Sequence, residues 1–236
     1  MIATVPITMD ALAECLHAEQ ADPAIHRIAT QFHTLSYYSE HTWPMTRWRG
    51  VPVLKMPLDL WIYQEIIEEI RPALIIETGT AFGGSALFFA DLLCLHGPDG
   101  RVVTIDREEM NLADIVQGHP RIIPIHGDSS SATIIQAVSS YVQAARGPIL
   151  VTLDSDHNAP HVRAELDAYA PFVTSGSMLI IEDTNLGHIV KPEVVAGPRE
   201  AVETWLPTHP EFARNVLCER YFVTCSTWLV HRGDEA

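Results

Sequence analysis

Acidic residues recur in this chain at one kind of place. Short apolar runs end at Glu77, at Asp106, at Gly127-Asp128, at Asp154 and at Glu182-Asp183. One acid after a strand is common and means little by itself. Five on one edge matter more, because open α/β sheets bind ligands at the carboxyl ends of their strands. If the fourth and fifth strands are neighbours, Asp154, Glu182 and Asp183 converge on one point. Unpaired, such carboxylates repel and take up protons, and a divalent cation removes the conflict. Oxygen donors with no thiol or imidazole pair favour Mg²⁺, with Mn²⁺ or Ca²⁺ as alternatives. The competing reading pairs Asp154 with an arginine such as Arg163 and leaves Asp183 as a loop cap.

His157 stands three residues after Asp154 in Asp154-Ser155-Asp156-His157. An imidazole titrates near neutral pH and suits proton removal from a hydroxyl. His157 and Asp154 are therefore the candidate catalytic pair. His161, four residues further on, is the main rival, ahead of His126 and His188. A solvent-facing or capping histidine is the plain alternative.

The first acid opens a glycine turn, Glu77-Thr78-Gly79-Thr80-Ala81-Phe82-Gly83-Gly84-Ser85. This E-x-G-x-x-x-G differs from the G-x-G-x-x-G that cradles a pyrophosphate. It still places glycines where the backbone must turn sharply and approach a ligand. A helix starting near Gly83 aims its free N–H groups at the same spot. Asp106, ending the next strand, can accept from both hydroxyls of a ribose, and Gly127-Asp128-Ser129 can read an adenine edge.

These residues need a scaffold, and the texture of the chain describes one. Residues 1–58 form an N-terminal extension, with helical composition over Ala11–Glu19 and an irregular aromatic stretch at His41–Gly50. It packs on the main domain, serves as a lid, or makes an oligomer contact. From residue 59 to 236 helix and strand alternate. Helices are expected over Leu58–Ile70, Gly83–Leu95, Ser129–Ala145, Pro160–Ala170 and Pro198–Leu206. Strands are expected over Ala73–Ile76, Arg101–Ile105, Arg121–Ile125, Ile149–Leu153, Met178–Ile181 and Tyr221–Val230. Short continuous apolar strands between helices mean a buried parallel sheet covered on both faces.

Composition narrows the partners. A net charge of −15 argues against nucleic acid, whose phosphates need a basic face. No apolar run reaches the ~18 residues of a membrane span, and the first ten residues lack a secretory pattern, so a cytoplasmic protein is expected. Cys15, Cys94, Cys218 and Cys225 have no zinc spacing and read as reduced, mostly buried thiols.

Taken in order, Trp48-Arg49-Gly50 with Lys55, ETGTAFGGSA (77–86), VVTIDRE (102–108), HGDSS (126–130), LDSDH (153–157), LIIEDTNLGH (179–188) and GPREAV (197–202) carry a resemblance. The chain resembles class I S-adenosylmethionine methyltransferases, and more narrowly the cephalosporin hydroxylase-type family, which is similar to rhamnosyl O-methyltransferases. The likeness runs from about Trp48 to Arg232. It implies an α/β, doubly wound, mostly parallel seven-stranded sheet of Rossmann-like methyltransferase type with an N-terminal extension. It implies that Glu77, Gly79 and Gly83 frame the methionine part of the cofactor, Asp106 the ribose, and Asp128 and Ser129 the adenine. Thr78, Thr80, Ser85 and Arg107 lie in the same segments and join that site. It independently implies metal ligands at Asp154, Glu182 and Asp183. Metal-dependent catechol-type enzymes place a lysine base three residues after the metal aspartate, whereas macrolide-sugar methyltransferases have a similar aspartate-to-histidine spacing. The expected activity is metal-dependent methylation of a hydroxyl on a sugar or other natural-product alcohol, in a homo-oligomer serving secondary metabolism, antibiotic biosynthesis included. Tyr37, Tyr38, Trp43, Trp48 and Phe82 are candidates to line the acceptor pocket. Lys55 matches a family lysine whose role the residues alone do not assign. The rival readings are a hydroxylase or other tailoring enzyme on the same fold and a nucleotide-sugar binding module.

Overall fold

A computed structural model describes residues 40–97, 99–108, 112–184, 196–215 and 226–233, together with 28, 31, 32, 35, 36 and 218. The expected helix at Ala11–Glu19, with Tyr37, Tyr38 and His188, lies outside the described residues.

Among the described residues the chain begins with a two-residue ladder, β1 (Arg47–Trp48) and β2 (Val51–Pro52), paired antiparallel. Helix α1 (Pro57–Ile70) follows, with proline in its first turn, and closes on Arg71 in the left-handed region ahead of Pro72. Then come β3 (Leu74–Thr78), α2 (Gly84–Leu95), β4 (Arg101–Asp106), α3 (Asp114–Gln117), β5 (Ile122–His126), α4 (Ala132–Ala144), β6 (Ile149–Leu153), α5 (Ala159–Tyr169), β7 (Met178–Ile181), α6 (Pro198–Trp205), β8 (Phe212–Arg214) and β9 (Thr227–His231).

The strands form one seven-stranded sheet in the order β5-β4-β3-β6-β7-β9-β8. The first five are parallel, and β9 pairs antiparallel with both β7 and β8. Every residue of β3, β6 and β7 is buried, which is why these strands are apolar without alternation. Their side chains nonetheless alternate between two cores. Ile75, Val102 and Leu150 pack with α1 and α2 on one face. Leu74, Ile76, Val103 and Val151 pack with α5 and α6 on the other.

The chain leaves β3 toward β4 and β5, then returns to lay β6 on the other side of β3. That reversal opens a crevice at the strand ends between β3 and β6, the usual ligand position in doubly wound sheets. The backbones meet tightly there. The N–H of Asp154 donates to the Thr78 carbonyl at 3.0 Å, and a Cβ on Gly79 would lie 1.8 Å from the Asp154 carbonyl oxygen.

Several expectations need adjustment. Helix α4 begins at Ala132 rather than Ser129, because Asp128 accepts from the Ser130 N–H at 2.9 Å and the resulting turn holds the chain until Ser131 caps the helix. The closing strand is Thr227–His231, displaced from the Tyr221–Val230 expected, of which residues 221–225 are not described. The stretch read as irregular at 41–50 contains β1. Strand β8 and the single turn α3 were not anticipated. Of the cysteines read as mostly buried, Cys218 is buried and Cys94 is exposed; Cys15 and Cys225 are not described. No described helix is long and apolar enough to cross a membrane.

Candidate active site

The crevice is a cavity of about 440 Å³. Its polar end is lined by Asp106, Arg107, Asp128, Ser129, Asp156 and His161, and its apolar end by Trp43, Pro52, Val53, Leu54 and Phe82. Asp154, His157 and Asp183 line it as well.

At the glycine turn, Gly79 has φ 87° and Gly83 φ 76°, backbone that side-chain-bearing residues seldom adopt. Gly83 caps α2 with no side-chain acceptor, so the helix presents unsatisfied N–H groups. Glu77 lies wholly buried beneath the turn. Thr104 donates its hydroxyl to Glu77 at 2.7 Å, and Thr80 in turn donates to Thr104 at 2.7 Å. Burial pushes the Glu77 carboxyl up to about 7 against the pull of Lys55, and its Oε1 is buried without a hydrogen-bond partner. Thr78 and Ser85 are buried in the same layer.

Asp106 accepts from the Ala81 N–H at 2.8 Å and the Glu108 N–H at 2.9 Å, which fixes its carboxylate over the turn. Asp128 is held low by hydrogen bonds from Ser130. Arg107 reaches across the cavity to Asp156 at 3.2 Å. Ser129 is drawn inward and donates to Glu165 at 2.5 Å. Ser155 donates to the same Glu165 oxygen at 2.7 Å, and His161 lies 3.4 Å from it. The bond to Glu165, working against burial, raises His161. His126 sits instead against the Arg107 carbonyl at 3.0 Å.

At the junction of β6 and β7, Asp154, His157 and Asp183 bring one ligand atom each within 4.8 Å of one another. The His157 Nε2 is 3.0 Å from Asp183 and 3.8 Å from Asp154, yet this buried nitrogen has no partner at hydrogen-bonding angles. Two carboxylates and an imidazole gathered this closely are a donor set that could hold a divalent ion. Burial works to lower His157, but Asp154 and Asp183 outweigh it and hold it at about 10.

Glu182 departs from the expected trio. It is 4% exposed and stands outside the three-residue group. Lys55 donates to it at 3.0 Å, Ser226 donates to its other oxygen at 2.5 Å, and the Tyr63 hydroxyl donates to the first. Burial raises Glu182 in spite of Lys55. Lys55 also donates to Asp154 at 2.6 Å. Asp154 is thus paired with a lysine, while Arg163 pairs with Asp167 at 3.2 Å. Lys55, Tyr63 and Ser226 reach the site from other elements, and no local spacing announces them. Trp48 is also not a pocket aromatic: its indole donates to Asp91 at 2.8 Å and its ring packs edge-on to Phe88.

Known proteins place the chain in a family. The sequence profile of the rhamnosyl O-methyltransferase/CmcI family matches residues 40–229. The chain belongs to that family. A rhamnosyl O-methyltransferase of Mycobacterium leprae is 38% identical over 197 residues, covering 83% of this chain and 85% of the relative. One from Mycobacterium tuberculosis H37Rv is 34% identical over 184 residues, 78% of this chain and 75% of the relative. Among solved structures, apo CmcI (N160 form) superposes with TM-score 0.62 at 23% identity, over 80% of this chain and 76% of that one. CmcI (D160 form) with Mg and S-adenosylmethionine gives 0.61 at 22% identity, over 78% and 77%. These structures share the fold. The family is one of S-adenosylmethionine-dependent O-methyltransferases, and this chain is an enzyme of that class.

Proposed function

We propose that the chain transfers a methyl group from S-adenosylmethionine to a hydroxyl of a small glycoside or related natural-product alcohol, with a divalent cation, Mg²⁺ by preference, at the acid group. The observation that carries this reading is the convergence of Asp154, His157 and Asp183 in the cavity that the glycine turn also lines. The reaction class forms an oxygen–carbon bond, breaks the sulfonium sulfur–carbon bond with its electrons returning to sulfur, and releases the hydroxyl proton.

The chain's own residues divide the work. The turn 77–85 and the N-terminus of α2 receive the methionine carboxylate and ammonium, Asp106 the ribose hydroxyls, and Asp128 and Ser129 the adenine edge. Thr78, Thr80, Ser85 and Arg107 support those contacts. Asp154 and Asp183 offer oxygens to the cation, with Glu182 one step behind them, already shared with Lys55. A bound cation would hold the acceptor oxygen and stabilise negative charge on it. His157 accepts the hydroxyl proton at Nε2. The carboxylates that keep its ring protonated are those assigned to the cation, so the ring serves as base once their charge is engaged there. Carboxylate oxygens suit Mn²⁺ as they do Mg²⁺. Residues 59–236 form the catalytic domain, and the extension before them supplies the wall over the apolar end.

That apolar end suits the acceptor. Trp43 and Phe82 remain 38% and 47% exposed on the cavity rim, and an aromatic face binds the C–H face of a sugar or an apolar aglycone. The test is calorimetry with S-adenosylhomocysteine, followed by methyl transfer to p-nitrophenyl rhamnoside with Mg²⁺ and after chelation. One site per chain and chelator-sensitive transfer support the reading. No binding of S-adenosylhomocysteine in either condition sinks it. Trp43→Ala and Phe82→Ala should raise the KM for the glycoside several-fold and leave kcat within about twofold, as expected for lost uniform binding. An unchanged KM in both variants removes the rim from the acceptor site.

A further inference from the structure

We propose that Lys55 is a positioning residue that trims the charge of the acid group and presents one defined oxygen of Asp154 to a cation. We infer as well that the strap of residues 47–55 exists to deliver it. The inference rests on the cation reading above.

A lysine 2% exposed is costly to bury unless its charge is paired and its N–H groups are bonded. Here the ammonium donates to Asp154 Oδ2 at 2.6 Å and to Glu182 Oε1 at 3.0 Å, with the Tyr63 ring 5.7 Å away. Both oxygens of Glu182 are engaged from inside the protein, since Tyr63 shares Oε1 and Ser226 takes Oε2. Asp154 is engaged at one oxygen, and its Oδ1 faces His157 at 3.8 Å. The acid group therefore offers less charge than its three carboxylates suggest, and in a defined orientation.

Lys55 comes from outside the sheet, and the strap that brings it is fastened twice. Trp48 and Arg49 both donate to Asp91 on α2, at 2.8 and 3.0 Å. Further along, the Pro52 carbonyl lies so close to Gly84 that a Cβ there would sit 2.0 Å from it. The chain then passes through Leu54 at φ 60°, a left-handed conformation that a leucine holds only where its surroundings impose it. The next side chain is Lys55.

The charge a cation meets and the geometry it meets should then separate on mutation. The test uses the whole chain, with MgCl₂ titrated by calorimetry in saturating S-adenosylhomocysteine, Mn²⁺ followed by electron paramagnetic resonance, and turnover measured alongside. Removing a positive charge beside the ligands strengthens their attraction for a divalent ion, so Lys55→Met should bind Mg²⁺ about tenfold more tightly. Its Mn²⁺ spectrum should broaden as Asp154 loses its fixed orientation, and turnover should fall about a hundredfold, the loss expected when reacting groups are misplaced. Lys55→Arg keeps the charge and should keep the parent affinity. Asp91→Asn loosens the strap from a position outside the cavity and should tighten Mg²⁺ in the same direction by a smaller factor. Unchanged or weaker Mg²⁺ binding in Lys55→Met overturns the proposal. Should that variant not fold, an Asp91→Asn protein with parental Mg²⁺ affinity overturns it equally. If the parent binds S-adenosylhomocysteine but neither Mg²⁺ nor Mn²⁺, the cation reading has failed, and this proposal with it.

Discussion

His157 and Glu77 are both displaced upward in their ionisation, for opposite reasons. The carboxylates around His157 favour its charged form, whereas burial disfavours the charged form of Glu77. Replacing His157 by alanine should lower turnover by roughly 10²–10⁴-fold, the usual contribution of a positioned base. S-adenosylhomocysteine affinity should hardly change, and single-turnover kinetics beside calorimetry would separate the two. For Glu77 the sign follows from its folded pKa of about 7 lying above the ordinary 4.5. The folded state holds the proton more tightly, so stability is greatest below about 4.5 and declines as pH rises to about 7. Above that it levels off. The loss is bounded by about 3.5 kcal/mol, at ~1.4 kcal/mol per pH unit of displacement. Glu77→Gln should flatten that decline in denaturant melts of the protein with no cofactor added; an unaltered slope rejects the assignment. At this scale Asp154, His157 and Asp183 were legible because a strand end and a three-residue step fix where they point. The retreat of Glu182 was not legible. Its partners Lys55, Tyr63 and Ser226 lie 127, 119 and 44 positions away in sequence.

The elements are held in register by backbone approaches that only glycine permits. Gly84 is helical, and its side of α2 accepts the Pro52 carbonyl. Gly84→Ala should lift the strap and cost about 1–3 kcal/mol, the usual penalty of overpacking. Protease cleavage near residues 47–55 should quicken with it. An alanine variant with parental melting and parental proteolysis would show that the strap yields at no cost. The long elements were readable from sequence: β3, β6 and β7 are unbroken apolar runs because both sheet faces are covered, and prolines mark the starts of α1, α5 and α6. The two-residue strands β1 and β2, the four-residue α3 and the three-residue β8 were not. Pieces that short carry no periodicity, and their conformation comes from what they lie against.

For the whole molecule, ligand and fold are linked by mass action. S-adenosylhomocysteine at about 100 times its Kd should add about 2.7 kcal/mol of stability. In a chain of this size that is a rise in Tm of roughly 5–10 °C. A flat melting temperature under saturation would contradict binding to the folded state. The parallel, doubly covered character of the sheet was the part of the architecture that sequence could suggest, through the alternation of helix and strand. The antiparallel seat of β9 between β7 and β8 was beyond it, since that depends on a connection that repeats no motif.

Ser226, just ahead of β9, donates to Glu182 at 2.5 Å and lies 3.0 Å from Asp59. Synthesis runs from the N-terminus, so a nascent chain has made its glycine turn, its histidine and all its acids well before Ser226 leaves the ribosome. Until then Glu182 lacks one of its three internal donors and β7 has a bare edge. The acid group is therefore closed by a strand made after the residues it encloses. Ribosome-bound chains halted before residue 226 should take up divalent ions without the discrimination of the finished protein, and gain it within one short stretch of elongation.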